Sequence, residues 1–207
     1  LRAFDVTDGF NGLVVLPVDP VTGQPVPAPV VLRYTPSANL GDISWASVVG
    51  IVHPGPFDLF ATFSYMETDP NPVTTPFGGL LSDPFSNPEA QDGTMVYLGA
   101  RYNFANDRTR LGLEYNQGSE YWFNMAVAED DMIAPKPAVR GDVWELYATH
   151  RITKGFIVKL DYMKYDFEYS GSGWHVGAPK PLDATPVLGF ATPSSMDKYL
   201  LSLQARF

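Results

Sequence analysis

Charged residues recur at alternate positions of strand-like segments: Asp58, Arg101, Arg110, Glu114, Glu145, Arg151, Lys159, Asp161, Lys198 and Arg206. Alternate positions of a strand share one face, so these groups would line a common wall, mixed in sign and slightly basic. Along a water-filled path they would set ion selectivity. In a narrow cylinder they would pair with one another and pin the wall instead. Glu114 and Glu145 could face each other across neighbouring strands, the arrangement that acid–base catalysis also uses.

Other chemistry finds little footing. The histidines are His53, His150 and His175, far apart in sequence, with no Ser or Asp expected beside them. His150 is expected at the apolar face of its strand, as an interfacial side chain rather than a base. The Gly-Lys-Ser/Thr, His-Glu-x-x-His and Gly-x-Ser-x-Gly patterns are absent. The chain is therefore not expected to be an enzyme, and no cofactor is expected. Without cysteine, disulfides, thiolate catalysis and Cys-ligated zinc are excluded from this chain. Glu67, Asp69, Asp83, Glu89 and Asp92 fall in 67–92 with no Lys or Arg, and Glu129-Asp130-Asp131 forms a second acidic run. An acidic rim attracts cations. Carboxylates and loop carbonyls can also hold a hard divalent ion, but no Asp-x-Asp-x-Asp-Gly loop with a trailing Glu is present. The default is a solvated acidic surface with no metal.

The elements that must position these groups are short strands. The 207 residues include 19 Pro, 18 Gly and 14% aromatics, a profile of strands and turns rather than long helices. No stretch approaches the ~18 apolar residues of a membrane helix, whereas a barrel strand needs only ~9–11 of alternating polarity. The net charge of −9 argues against nucleic acid as partner. The segment Arg2-Ala3-Phe4-Asp5-Val6 already alternates, so the chain is expected to begin inside its fold, as a mature or trimmed piece.

Alternation predicts about eight strands. In 43–52, Ile43, Trp45, Val49 and Ile51 would share the apolar face. In 57–66 these are Phe57, Leu59, Ala61, Phe63 and Tyr65; in 94–104 they are Val96, Leu98, Ala100, Tyr102 and Phe104. Segments 110–116, 143–152, 156–167 and 199–207 repeat the pattern. The connections alternate in length: tight turns at 53–56, 105–108 and 153–155, long Pro-, Asp- and Ser-rich stretches at 7–42, 67–93, 117–141 and 169–196. In 7–42, the stretches 12–16 and 29–34 could form an extra hairpin. Aromatics fall into two bands, with Phe57, Tyr102 or Phe104, Phe156 and Phe207 at one end. Trp45, Tyr65, Tyr115, Trp144 and Tyr199 lie at the other, as membrane interfaces require.

The ending Tyr199-x-Leu201-x-Leu203-x-Ala205-x-Phe207 resembles the C-terminal insertion signal of bacterial outer-membrane β-barrels. More loosely, 96–102 and 144–147 are similar to segments in the C-terminal half of porin-like proteins from metal-reducing Gram-negative bacteria. The resemblance implies an all-β, antiparallel, up-and-down transmembrane barrel over 1–207, or the C-terminal segment of a larger one. Short turns would face the periplasm, long loops the exterior, and the charged set the lumen. Expected partners are outer-membrane lipid, the barrel-insertion machinery, and a further copy or a periplasmic or extracellular protein. The function implied is a porin passing ions or small polar solutes. The alternatives are a barrel sheathing an electron-transfer protein and, further off, a soluble β-sandwich for binding or adhesion.

Overall fold

Pairing of adjacent strands decides which residues share a face. The computed structural model describes residues 2–8, 11–15, 30–34, 38–74, 77–105, 108–125, 135–182 and 193–205. The elements are β1 (Arg2–Asp8), β2 (Asn11–Val15), β3 (Val30–Tyr34), β4 (Ala38–Val52), β5 (Phe57–Pro70) and β6 (Asp92–Asn103), followed by β7 (Thr109–Gly118), β8 (Gly141–Thr153), β9 (Phe156–Phe167) and β10 (Ser195–Ala205). A single 3₁₀ turn, Lys136–Ala138, precedes β8. No α-helix occurs among the described residues.

Eight strands form one antiparallel sheet in the order β1-β4-β5-β6-β7-β8-β9-β10, so the all-β, up-and-down arrangement is present. The sheet is open: β1 and β10 are its edges and do not pair with each other. The hairpin expected within 7–42 exists as a separate two-stranded sheet, with Asn11 opposite Tyr34 and Val15 opposite Val30. Tight turns join β4 to β5, β6 to β7 and β8 to β9, all at one end of the sheet. Every long connection emerges at the opposite end, including the one from β1 to β4. That parity follows from antiparallel pairing once short and long connections alternate.

One face of the sheet is apolar and uncovered. Register aligns Leu59, Ala100, Leu113, Leu146, Tyr162 and Tyr199 in one row across six strands, and Phe57, Tyr102, Leu111, Ala148, Leu160 and Leu201 in the next. Leu160 is 58% exposed and Leu201 63%, so nothing described packs over them. Cross-strand rings cluster near both ends of this face: Phe57 with Tyr102 at 5.1 Å, and Tyr115 with Trp144 at 4.6 Å between centroids.

On β4 the predicted face is wrong by one residue. Ile43, Trp45, Val49 and Ile51 pair with Thr68, Met66, Thr62 and Phe60, which belong to the opposite face. Ala46, Val48, Gly50 and Val52 instead join the apolar one, opposite Tyr65, Phe63, Ala61 and Leu59. Both parities of this strand are apolar near its end, so alternation could not choose between them. Trp45 accordingly leaves the aromatic band, and its indole N–H donates to Phe123 O at 2.9 Å.

The opposite face is covered at the long-connection end. Leu40, Ile43, Met66 and Met95 of the strands meet Leu80, Leu81, Trp122, Phe123 and Val176 of the connections in one buried cluster. A second cluster joins Val139 to Val143, Met163 and Tyr165. Glycine makes the close approach feasible. A Cβ on Gly118 would lie 2.1 Å from Val139 O and 2.8 Å from the Trp122 ring, and a Cβ on Gly112 would enter the Tyr147 ring. Gly118→Ala is expected to cost about 1–3 kcal/mol through overpacking. A lowered melting midpoint and red-shifted tryptophan emission, as Trp122 loses its seat, would report it.

Candidate functional site

Strand register gathers most of the predicted charged residues on the partly covered face. Asp58, Arg101, Arg110, Glu114, Glu145, Lys159 and Asp161 lie there, as does Lys198 of β10, opposite Met163 of β9. Arg151 lies there too, two residues along from Thr149. Arg206 and Phe207 lie outside the described residues. Tyr199, Leu201, Leu203 and Ala205 sit on the uncovered apolar face, in register with Tyr162, Leu160, Val158 and Phe156.

The charges form two groups. In the middle of the face, Glu114 stands directly opposite Glu145, a like-charge pair that costs stability unless a cation intervenes. Lys136, from the 3₁₀ turn, supplies it. Its Nζ lies 2.6 Å from Glu114 Oε2, contacts Glu145, and lies 2.9 Å from the Tyr97 hydroxyl, which donates to Glu114 in turn. Lys159 bridges Glu145 at 3.2 Å and Asp161 at 2.5 Å, and sits 4.7 Å from the Tyr147 ring centre. Three carboxylates thus face two ammonium groups, leaving one net negative charge. Burial pushes the Lys136 ammonium toward its neutral form, but hydrogen bonds to Glu114, Glu145 and Tyr97 outweigh it and raise its pKa.

The second group lies at the tight-turn end. Arg101 places Nε 2.9 Å and a terminal nitrogen 2.7 Å from Asp58 Oδ2, and Asn103 Nδ2 approaches the same oxygen at 2.8 Å. His53 Nδ1 lies 2.7 Å from Asp58 Oδ1. The expectation that no Asp stands beside a histidine is thereby corrected: the tight turn folds His53 back onto Asp58. Asp58, Arg101 and Asn103 border a polar cavity of about 470 Å³ that Thr109, Arg110 and Arg151 also line.

Nearer the long connections the face is closed by a buried cation. Arg140 is 1% exposed, and the partners of its guanidinium among the described residues are backbone carbonyls. Its Nε donates to Trp122 O, and its two terminal nitrogens to Ser170 O and Trp174 O, each at 2.9 Å. Burial lowers its pKa to about 10 against the pull of Glu120 and Tyr121, so it is a cation at neutral pH. Trp122 Nε1 donates to Pro137 O at 2.6 Å, and Asn116 Nδ2 to Lys136 O at 2.8 Å, fixing the turn that carries Lys136. Beside Trp122 lies an apolar cavity of about 410 Å³, lined also by Trp45, Ser47, Ser64, Met95, Asn124 and Met125.

Lys136 and Arg140 escape a reading by strand alternation because they sit in a connection. One signal was available: they are the only basic residues in 117–141. His150 lies on the apolar face, its Nδ1 3.0 Å from Thr109 Oγ1, and His175 packs against Phe123 at 5.4 Å, so the histidines stay apart. Among the described residues no group of three or more His, Asp or Glu side chains could hold a metal ion. The acidic run Glu129-Asp130-Asp131 lies outside the described residues.

The chain belongs to the DUF3373 family, proteins of unknown function, whose sequence profile matches residues 1–207. No curated protein and no solved structure matches it.

Lys136→Met should cost about 3–5 kcal/mol, because two opposed carboxylates lose their shared cation. Since the folded pKa of Lys136 lies above its ordinary 10.5, its contribution is complete below that pH and fades as pH rises through the folded value. Wild type should therefore lose stability on the alkaline side, and the gap to Lys136→Met should narrow there. Denaturant midpoints for both proteins, constant from about pH 8 to 10 and converging from about pH 10.5 to 12, measure this.

Proposed function

We propose that this member of the DUF3373 family is an outer-membrane β-barrel protein, its strands forming the wall of a channel for ions or small polar solutes. One observation carries the reading: a bare apolar face runs across neighbouring strands while the reverse face of those strands is charged. Soluble monomers rarely expose contiguous apolar patches beyond ~300–600 Å². Here Val48, Phe63, Leu98, Leu113, Leu146, Leu160, Leu201 and Leu203 are all exposed on seven successive strands. Hydrocarbon on one side and water on the other would account for both faces.

Strand length supports this. β4 to β10 run 10 to 15 residues, against the ~9–11 that a tilted strand needs to cross a bilayer. The tight turns at one end match the periplasmic side of such barrels, and the long connections the outer side. Loops packed on the inner face would narrow the outer mouth, and the charged groups would line the path below. Bare strand edges are not tolerated in hydrocarbon, so the reading requires partners for β1 and β10. A soluble sandwich would need a second layer over Leu201 and Leu203, and no described residue supplies one.

The open sheet edges favour a second reading, in which the strands belong to a wider cylinder that sheathes a protein partner, for example an electron-transfer protein. Conductance separates the two. A channel should give steady single-channel currents in a planar bilayer, whereas an occupied sheath should give none. The membrane itself is tested by extraction: the protein should stay with outer-membrane pellets until detergent is added, and release by salt or carbonate alone would refute the reading. Leu113→Arg should lower stability in phospholipid vesicles by about 2–4 kcal/mol, the cost of a charge near the midplane. A packed soluble sheet would show no such dependence on lipid.

A further inference from the structure

We infer that the turn Asp83–Ser86 presents Phe85 as the anchor of a docking surface for a basic protein partner. The inference needs only that the long connections share one end of the sheet, and it stands for a channel and a sheath alike.

Ser86 N donates to Asp83 O at 3.2 Å, which closes a β-turn with Pro84 and Phe85 at its centre. Phe85 has φ +63°. A turn with Pro second and a positive φ third ordinarily carries Gly or Asn at that third place, because a Cβ crowds the backbone in the left-handed region. Among the described residues the other non-glycine with positive φ is Leu81, at +50°. Leu81 is 1% exposed and sits in the buried cluster with Leu80 and Met66, so its burial offsets the strain. Phe85 is 92% exposed, and its ring gains almost nothing from the fold that holds it. A bulky side chain kept bare in a strained conformation is accounted for by a contact made outside the chain.

The turn is braced. Asp83 pairs with Lys180 of the neighbouring connection, Ser86 Oγ donates to Asp83 O at 2.6 Å, and Leu81 N donates to His175 O at 2.9 Å. The ring is thus displayed from a fixed base, which lowers the ordering cost of binding. Phe77 and Trp174 are exposed in the same two connections, whose backbones meet at Gly78 and Gly177. Aromatic rings of this kind are enriched at the centres of protein interfaces.

Charge chooses among occupants. Taken over their full sequence, the segments 7–42, 67–93, 117–141 and 169–196 hold thirteen Asp and Glu against four Lys and Arg, while the rest of the chain holds ten of each. The whole net charge of −9 therefore belongs to the segments of the long-connection end. The segment that carries Phe85, 67–93, has five acidic residues and no basic one. A second copy of this chain would bring the same sign to the contact, and so would an anionic lipid surface; both are repelled. A protein with an apolar pocket ringed by Lys and Arg is complementary to an aromatic ring on an acidic surface.

Replacing Phe85 with photoreactive p-benzoylphenylalanine in the full-length protein, in the cells that make it, tests the surface. Illumination should give one discrete adduct with another protein, joined at a peptide from a Lys- and Arg-rich surface. The same probe at Thr153, in a tight turn at the far end, should not give that adduct. With the partner purified, its binding to wild type should weaken as salt rises, because the attraction is screened. Phe85→Gly should weaken binding about tenfold or more, and Phe85→Tyr should keep most of it. The melting midpoint of Phe85→Gly should equal or exceed that of wild type, since glycine adopts a positive φ freely. A clear fall would show that the ring serves the chain's own fold, and would overturn the inference. So would the absence of an adduct, an adduct with lipid or with a second copy, equal binding by wild type and Phe85→Gly, or binding indifferent to salt. None of these outcomes depends on conductance or on extraction, so the docking surface and the channel fail separately.

Discussion

Side chains two residues apart on a strand must share an environment, and pairing extends that demand across the whole sheet. A one-residue slip anywhere from β4 to β10 would exchange Leu113 with Glu114, or Leu160 with Asp161, between the two faces. The same rule that keeps leucines on one side forces Glu114 and Glu145 to confront each other on the other side. The strand pairing cannot relieve that repulsion by itself. Lys159 of β9 reaches only Glu145, and the cation that touches both carboxylates, Lys136, comes from outside the ladder. The placement of a connection is thus dictated by an electrostatic debt that the sheet incurs.

Connections long enough to be mere surface excursions are instead packed inward. Trp122 and Val139 reach the backbone at Gly118, and Leu80 and Leu81 are fully covered beside Met66. Apolar strand residues at this end are therefore satisfied without a second sheet. The charged face divides into an apolar third covered by the connections, a paired ionic middle and a polar end at the tight turns. The uncovered face shows no such division, except for the rings near its two ends.

Much of the sheet was legible in the sequence because its signal is local. Alternation in 57–66, 94–104 and 143–152 placed Phe63, Leu98 and Leu146 on the same side as the register does. The alternating lengths of the connections placed all tight turns at one end. Alternation failed on β4, where Val48 and Val49 are equally apolar and only pairing with Phe63 and Thr62 decides. The charged residues on strands were found for the same reason that the strands were. Lys136, Arg140 and the His53–Asp58 contact were not, since each depends on how a turn or connection folds back. Period-two reasoning contains no information about such returns.

Arg140 sits between the segments that cover the sheet, and its three donors go to carbonyls of two different connections. A guanidinium holds its fork as one rigid plane, so these bonds cannot be surrendered one by one without stranding a buried charge. Trp122, Ser170 and Trp174 are therefore tied together by one side chain, and losing any one of the three bonds leaves a buried guanidinium with an unmet donor.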